Sequence, residues 1–190
     1  MLKRLGYWAT GAVAAFATPT FSHPHIFAEA RVEIVAAEDG TLKELRNVWR
    51  FDDIFSSSVL MDFDKNSDLK LDHSELNEIA NTIRDSLGDY SYFTSITKDG
   101  AVSEIARPDV FNVDFKDNQL LVFFVAQPKT PIKISGNMSF GVYDPTLYTA
   151  IDFAKDEDIA VEGKAFESCT RKVVRPDPDD VIAQNQANLT

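Results

Sequence analysis

Cysteine and histidine are scarce in this chain, whose 190 residues include one Cys and three His. The single cysteine, Cys169, excludes an internal disulfide bond. No histidine lies near Cys169 in the sequence, so we expect its thiol to be buried as a small apolar group rather than to act as a catalytic nucleophile. Glycine-rich phosphate loops and nucleophile motifs are also missing, and the sequence therefore does not predict an enzyme.

Basic residues are few relative to acidic ones. The chain has 19 Lys and Arg against 30 Asp and Glu, which gives a formal net charge of −11 at pH 7. A surface of this charge disfavours binding to nucleic acid and to anionic lipid. It attracts cations or basic partners instead.

Long apolar runs are missing as well, except for a short one near the start that is too short to span a bilayer comfortably. It follows Lys3 and Arg4, and the small residues Thr20 and Ser22 precede a candidate cleavage site, as in a secretory signal peptide. We therefore predict a signal peptide at 1–22. We expect the mature protein to be soluble, without stable membrane insertion, in the bacterial periplasm or another secreted setting.

Alternating polar and apolar residues, with closely spaced turns, dominate residues 23–174 and are typical of a β-sandwich. The pattern predicts strands at 26–34, 42–52, 91–98, 101–106, 110–115, 119–126, 131–135, 138–143, 157–162 and 166–174. A helical insert at about 53–88 interrupts them. We predict one mainly β domain with an α-helical insert (α+β), followed by a mobile tail at 175–190 that is rich in Pro and Asp and then polar.

The insert contains an acidic run with the ligand pattern of an EF-hand-like calcium loop of about twelve residues. Oxygen-bearing side chains stand at loop positions 1, 3, 5, 9 and 12, and position 7 offers a backbone carbonyl; in order these residues are Asp64, Asn66, Asp68, Asp72, Glu75 and, at position 7, Lys70. Calcium is a hard cation that takes about six to eight oxygen ligands. The pattern therefore predicts a weak, structural Ca²⁺ site.

Two features weigh against calcium. Position 6 of such a loop is normally Gly, for a sharp turn, and here it is Leu69. In addition, the sequence contains no second loop of this kind to pair with this one.

Asp72 and Glu75 also fit a capping box at the start of a helix, which needs no metal. That alternative leaves Asp64, Asn66 and Asp68 at alternate positions unexplained.

Two of the three histidines, His23 and His25, would stand at positions 1 and 3 of the mature chain. A free amine and two imidazoles suit Zn²⁺, Ni²⁺, Co²⁺ or copper rather than calcium. Pro24 has no N–H, which blocks the square-planar clamp built from deprotonated backbone amides. The histidines could instead chelate through the amine and ring of His23, share one ion from one face of a strand, or stay idle in solvent. His73 could join them if the insert folds over the first strand.

The sequence resembles a bacterial domain-of-unknown-function family that is described as the periplasmic component of an uncharacterised ABC-type transport system. The residues that carry the resemblance are His23–Phe27, Trp49–Asp52, Asp64–Glu75, Tyr92 and Phe93, Lys129–Pro131 and Val142–Thr146. The resemblance implies export, a mainly β domain with a helical insert, and an association with nickel, cobalt or zinc transport. It makes His23 and His25 the candidate transition-metal ligands and the acidic loop the candidate hard-cation site.

Two hypotheses follow. The first is a periplasmic metal-handling accessory protein that holds Zn²⁺, Ni²⁺ or Co²⁺ at the N-terminal histidines, presents it to a membrane metal transporter, and carries a structural Ca²⁺ in the acidic loop. The second is a calcium-stabilised β-sandwich that docks onto a partner protein without any transition metal. A copper enzyme with an N-terminal histidine brace is disfavoured, because only His25 and His73 remain to supply the further ligand.

Overall fold

The computed structural model describes residues 24–175, which form nine β-strands and two α-helices. The strands are β1 (Ile26–Ala36), β2 (Leu42–Phe51), β3 (Thr94–Lys98), β4 (Ala101–Ser103), β5 (Phe111–Lys116), β6 (Gln119–Ala126), β7 (Met138–Val142), β8 (Thr149–Asp152) and β9 (Ile159–Glu162). The helices are α1 (Asp53–Phe63) and α2 (His73–Ser86), and short 3₁₀ turns lie at Gly88–Phe93, Asp156–Asp158 and Lys164–Phe166.

The strands form two sheets. The larger one has six strands in the order β5-β6-β2-β1-β8, with β9 also paired to β1. The first strand, β1, pairs antiparallel with β2 along one edge. Its other edge pairs in parallel with β8 at Ile26–Glu29 and then with β9 at Val32–Val35. The smaller sheet has the antiparallel order β4-β3-β7. The prediction of a mainly β (α+β) fold is therefore confirmed.

One hydrophobic core joins the two sheets and the helices. The inward-facing residues of β1 alternate along the strand as predicted, and Ala28, Ala30, Val32 and Ile34 are all buried. Trp49 of β2 lies at the centre with 1% of its surface exposed, and its ring makes an edge contact with Phe124 of β6 at 4.8 Å between centroids. Truncating such a buried aromatic residue typically costs about 3–5 kcal/mol. Burial on this face of the sheet is therefore the main stabilising force.

The two helices lie between β2 and β3, within the segment predicted at about 53–88. Asp52 begins α1, because its Oδ1 accepts the N–H groups of Ile54 and Phe55 at 2.9 and 3.0 Å. Helix α2 turns Ile79 and Ala80 into the core and lies against β5. The helices thus cover one end of the larger sheet and hold the acidic loop between them.

Several strand predictions differ from the structure. Residues 131–135 are not a strand, since Pro131 has no N–H for a ladder and only an isolated bridge joins Thr41 to Lys133. Residues 166–174 begin in a 3₁₀ turn and continue as loop. The short strand β8 was not predicted, because four residues whose parallel partner is β1 leave no local signal.

The prediction that Cys169 is buried is wrong. Its side chain is exposed, and its Sγ lies 3.5 Å from the carbonyl oxygen of Ala165. The cysteine follows the 3₁₀ turn at Lys164–Phe166, outside the sheets, where no apolar layer covers it.

The ends of the chain extend beyond the described residues. The predicted signal peptide at 1–22, His23 and residues 176–190 of the predicted tail all lie outside them. Arg175 is described, and its guanidinium pairs with Asp156 at 2.6 Å. None of the helices in residues 24–175 is long and apolar enough to cross a membrane.

Candidate metal site

The acidic loop joins the end of α1 to the start of α2. Helix α1 ends at Phe63, and α2 begins after its N-cap residue Asp72. Asp72 Oδ1 accepts the N–H of Glu75 at 3.0 Å, and Glu75 Oε2 accepts the N–H of Asp72 at 2.8 Å. This reciprocal pair is the predicted capping box, so the last two candidate ligands have a structural role in starting α2.

The first three candidate ligands point into the loop and hold its backbone. Asp64 accepts the N–H of Leu69 through Oδ2 at 2.8 Å and the N–H of Asp68 through Oδ1 at 3.2 Å. Asn66 Oδ1 accepts the N–H of Asp68 at 2.9 Å, and Asp68 Oδ1 accepts the N–H of Lys70 at 2.9 Å. The capping box did not explain Asp64, Asn66 and Asp68. The structure shows that these side chains accept backbone N–H groups of the loop and so hold it in a tight turn next to Asp64.

Leu69 takes the backbone conformation for which glycine is usual at this position. Its φ is 61°, in the left-handed region, and 77% of its surface is exposed. A residue with a Cβ pays about 1–2 kcal/mol in that region. Leu at this position, where Gly is usual, therefore lowers stability but does not prevent the sharp turn.

Glu75 ties the two ends of the loop together from a buried position. Only 3% of its surface is exposed. Besides Asp72, it accepts the N–H of Lys65 through Oε1 at 2.8 Å. The Lys65 ammonium pairs with Glu78 instead, and this hydrogen bond raises the pKa of Lys65. Backbone N–H groups thus hold the carboxylate of Glu75. They satisfy its hydrogen-bonding capacity without neutralising its charge.

The chemistry of the loop fits a hard cation, although the ligands are not gathered into a cage. All six candidate ligands offer oxygen, and a carboxylate oxygen that accepts one N–H keeps a second lone pair. Within residues 24–175, however, no three His, Cys, Asp or Glu side chains lie together in a way that could hold a metal ion. Binding would require the acidic side chains to turn further towards one point.

Of the histidines, His25 and His73 lie in residues 24–175, and there the structure does not bring them together with further ligands. His25 is exposed just before β1. Its backbone N–H donates to the backbone carbonyl of Tyr148 at 2.9 Å, and the centroids of the two rings are 4.9 Å apart. His73 is the exposed first residue of α2. In the described part of the chain, neither belongs to a group of three potential metal ligands.

Asp144 is a buried acidic residue to which the sequence gave no separate role. It is 3% exposed and lies in the segment Val142–Thr146. Its Oδ1 accepts the N–H and the hydroxyl of Thr146 at 2.7 Å, and its Oδ2 accepts the N–H of Thr149 at 2.8 Å. The Asp-Pro-Thr spacing is the sequence signal for this turn. Asp144 directs the chain into β8, beside His25.

Together, the fold and the loop define a mainly β domain with a helix–loop–helix insert that is rich in oxygen ligands. The chain belongs to the family described as a protein of unknown function, DUF1007, whose model matches residues 8–190. Neither the curated proteins nor the solved structures contain a match to the chain.

Proposed function

We propose that this protein is an exported, non-catalytic β-sandwich domain that binds a divalent cation, and that the loop Asp64–Glu75 holds calcium. The observation that supports this best is the conformation of the loop. Leu69 already takes the left-handed turn, and Asp64 already accepts the N–H of Leu69 at 2.8 Å. An acidic turn that served only to start α2 would not need either feature.

In this proposal the ion replaces backbone N–H groups as the partner of the carboxylates. Asp64, Asn66 and Asp68 would supply side-chain oxygens, Lys70 its carbonyl, and Asp72 an oxygen directly or through water. Glu75, which already contacts both ends of the loop, would complete the shell. Calcium would then fix the angle between α1 and α2 rather than signal.

Calcium should stabilise the wild-type protein, and Glu75→Gln should abolish that effect. With an affinity of about 10⁻⁴–10⁻³ M, as in lone extracellular loops, 10 mM calcium adds about 1.4–2.7 kcal/mol. This corresponds to a rise of roughly 3–10 °C in Tm for a domain of this size. Differential scanning calorimetry with and without calcium measures the rise within each variant, so any loss of the capping box cancels.

Glu78→Gln is the matched control, since it makes the same change three residues later on α2, at an exposed side chain paired with Lys65. It should keep the full calcium response. A wild-type Tm that does not move with calcium contradicts the proposal, and so does an equal response in the Glu75 and Glu78 variants.

A second candidate function is the handling of Zn²⁺, Ni²⁺ or Co²⁺ at His23 and His25 for a membrane metal transporter. The exposed position of His25 at the start of β1, anchored through its backbone to Tyr148, favours it, because a ligand there is both accessible and fixed. The resemblance to a transport component suggests that the partner is a membrane metal transporter.

Native mass spectrometry of the exported protein tests this second function by fixing the first residue and counting bound ions. A chain that begins at His23 and retains one zinc or nickel supports it, provided that the double change His23→Ala and His25→Ala removes the ion. His73→Ala is the control and should leave the ion count unchanged. Retention of the ion by the double variant contradicts the function.

A further inference from the structure

Two polar atoms in the hydrophobic core have no hydrogen-bond partner among residues 24–175. They are Oδ1 of Asn47 and Nε1 of Trp49, and both belong to β2. Asn47 is 2% exposed and Trp49 is 1% exposed. Burying a polar atom without a hydrogen bond costs free energy, and native proteins pair the great majority of such atoms. Two unpaired atoms so close in one strand therefore indicate a partner other than the described residues.

The two side chains point to the same side of the larger sheet. Residues two apart on a strand share a face, and here it is the buried face. Phe124 of β6 lies directly opposite Asn47 in the strand register. The ring of Phe124 also makes the edge contact with the ring of Trp49, at 4.8 Å between centroids. The indole thus lies beside the residue that faces Asn47, and both unpaired atoms belong to the same part of the core.

The hydrogen bond of the Asn47 amide determines which of its ends is unpaired. Its Nδ2 donates to the carbonyl of Leu45 at 3.3 Å. With the amide turned around, Oδ1 would face that carbonyl, and two acceptors repel each other. The unpaired end of Asn47 is therefore an acceptor, whereas Nε1 of Trp49 is a donor only. Turning Oδ1 away to meet Trp49 would break the bond to Leu45, so a molecule between the two groups satisfies both at lower cost.

The surroundings define the chemistry of that molecule. It must accept a hydrogen bond from Trp49 and donate one to Asn47. The cross-strand neighbours of these two residues carry no charge; they are Ala30 and Val32 on β1 and Val122 and Phe124 on β6. An ion placed there would lose its hydration without a charged partner. The molecule is therefore neutral, and Ala30, whose side chain ends at Cβ, is the smallest residue beside the indole.

We propose that the core binds one water molecule, which bridges Oδ1 of Asn47 and Nε1 of Trp49. Water is the smallest neutral molecule that donates and accepts at once, and a buried water takes about two to four polar partners. The bridge lies about 2.7–3.2 Å from each atom. It holds the indole of Trp49 in place against the rings of Phe93 and Phe124. The water is thus a structural ligand of the core, at a site separate from the acidic loop.

Water-selected NOE and ROE spectra of the full chain test the proposal. The chain has two Trp residues, so an isotope-labelled Trp8→Phe variant leaves the indole N–H of Trp49 as the only signal of its type. We expect a cross-peak between water and this N–H, with the sign of dipolar contact rather than of proton exchange. A spectrum that shows the indole signal without such a cross-peak overturns the proposal.

Asn47→Leu, added to the same protein, checks that Asn47 is the second partner. Leucine keeps the branched shape of the side chain and removes the acceptor, so we expect the cross-peak to disappear. Asn112→Leu is the matched control, because it makes the same change at an exposed position of β5, and it should keep the cross-peak. A cross-peak that persists in the Asn47 variant, or one that disappears in both variants, overturns the proposal.

A crystal structure at a resolution that shows ordered water checks the site without any change in the core. We expect one isolated density peak within about 2.7–3.2 Å of both atoms. A direct hydrogen bond between Asn47 and Trp49, density for a larger molecule, or no density between the two atoms overturns the proposal.

Discussion

At the scale of single residues, Asp52 joins three elements through one carboxylate. Its Oδ2 accepts the N–H of Phe27 in β1 at 2.9 Å, while its Oδ1 begins α1 directly after β2. Burial raises the pKa of the Asp52 carboxyl, but the N–H groups of Phe55, Phe27 and Ile54 together outweigh burial and hold this pKa below its usual value. The charged form is therefore the one that the fold stabilises.

Asp52→Asn should lower stability at neutral pH and lose this effect in acid. Asparagine still caps a helix, but its second side-chain atom is an NH₂ that cannot accept the N–H of Phe27, at a cost of about 1 kcal/mol. Because the folded pKa is lowered, the contribution of the carboxylate is present above the unfolded pKa and disappears as pH falls through the folded value, below about pH 4.

Urea unfolding of both proteins at pH 7 and at pH 3 measures the stability difference. We expect the difference to shrink at pH 3. The control, Asp109→Asn, changes an exposed loop residue and should show little difference at either pH. A difference for Asp52→Asn that stays constant between the two pH values contradicts this account.

The candidate loop shows what single-residue patterns can predict. The spacing of Asp64, Asn66 and Asp68 was enough to place oxygen atoms inside one turn, because these short side chains hydrogen-bond backbone N–H groups two to five residues ahead. The sequence argued that Leu69 would oppose the turn. Its φ of 61° shows that the contacts of Asp64 overcome that local preference.

At the scale of elements, one buried hydroxyl connects α1 to the larger sheet. Ser56 has no exposed surface, and its Oγ accepts the N–H of Leu120 at the start of β6 at 2.9 Å. The same hydroxyl lies 3.4 Å from the carbonyl of Phe51. Ser56 thus fixes where the helix meets the sheet, at a fully buried position.

Ser56→Ala should destabilise the protein by about 1–3 kcal/mol, because the N–H of Leu120 would remain buried without an acceptor. Ser57→Ala is the matched control. Its hydroxyl is exposed and bonds only within the helix, to the carbonyl of Asp53, and its loss should change stability by less than about 0.5 kcal/mol. Guanidinium chloride unfolding compares the two variants; losses of equal size would show that Ser56 does not anchor the helix.

The elements differ in how well the sequence predicts them. Strands β1 and β2 follow from the alternation of buried and more exposed residues at 26–34 and 45–51, since both strands bury one face on the same core. The prediction of a strand at 166–174 was wrong, because apolar residues alone do not form a strand without a neighbouring strand to pair with.

At the scale of the whole molecule, the end of the described chain completes the sheet that its beginning starts. Val32 of β1 pairs with Ile159 of β9, and Val35 pairs with Glu162. Arg171 and Arg175 then bond the carbonyls of Ile159 and Phe153. One edge of the central strand β1 is thus covered by residues from the last part of the described chain, which pair with its backbone.

Truncation after Asp158 should therefore destabilise the protein by roughly 3–4 kcal/mol, at about 1 kcal/mol for each lost backbone hydrogen bond. It should also cause association, because the edge of β1 becomes free to pair with other chains. Truncation after Arg175 keeps every strand pairing described above and is the control. Thermal unfolding and size-exclusion chromatography compare the two; a monomeric, equally stable shorter variant would contradict this role of β9.

The pairing of β1 with β9 also sets the order of events when the chain emerges from a ribosome with its N-terminus first. Residue 32 appears early, but its partner at residue 159 follows only when nearly the whole domain has passed. During that interval the strand keeps an open edge that can pair with any other extended chain. Because contacts so distant in sequence also form slowly, a holding chaperone would find its substrate in this strand.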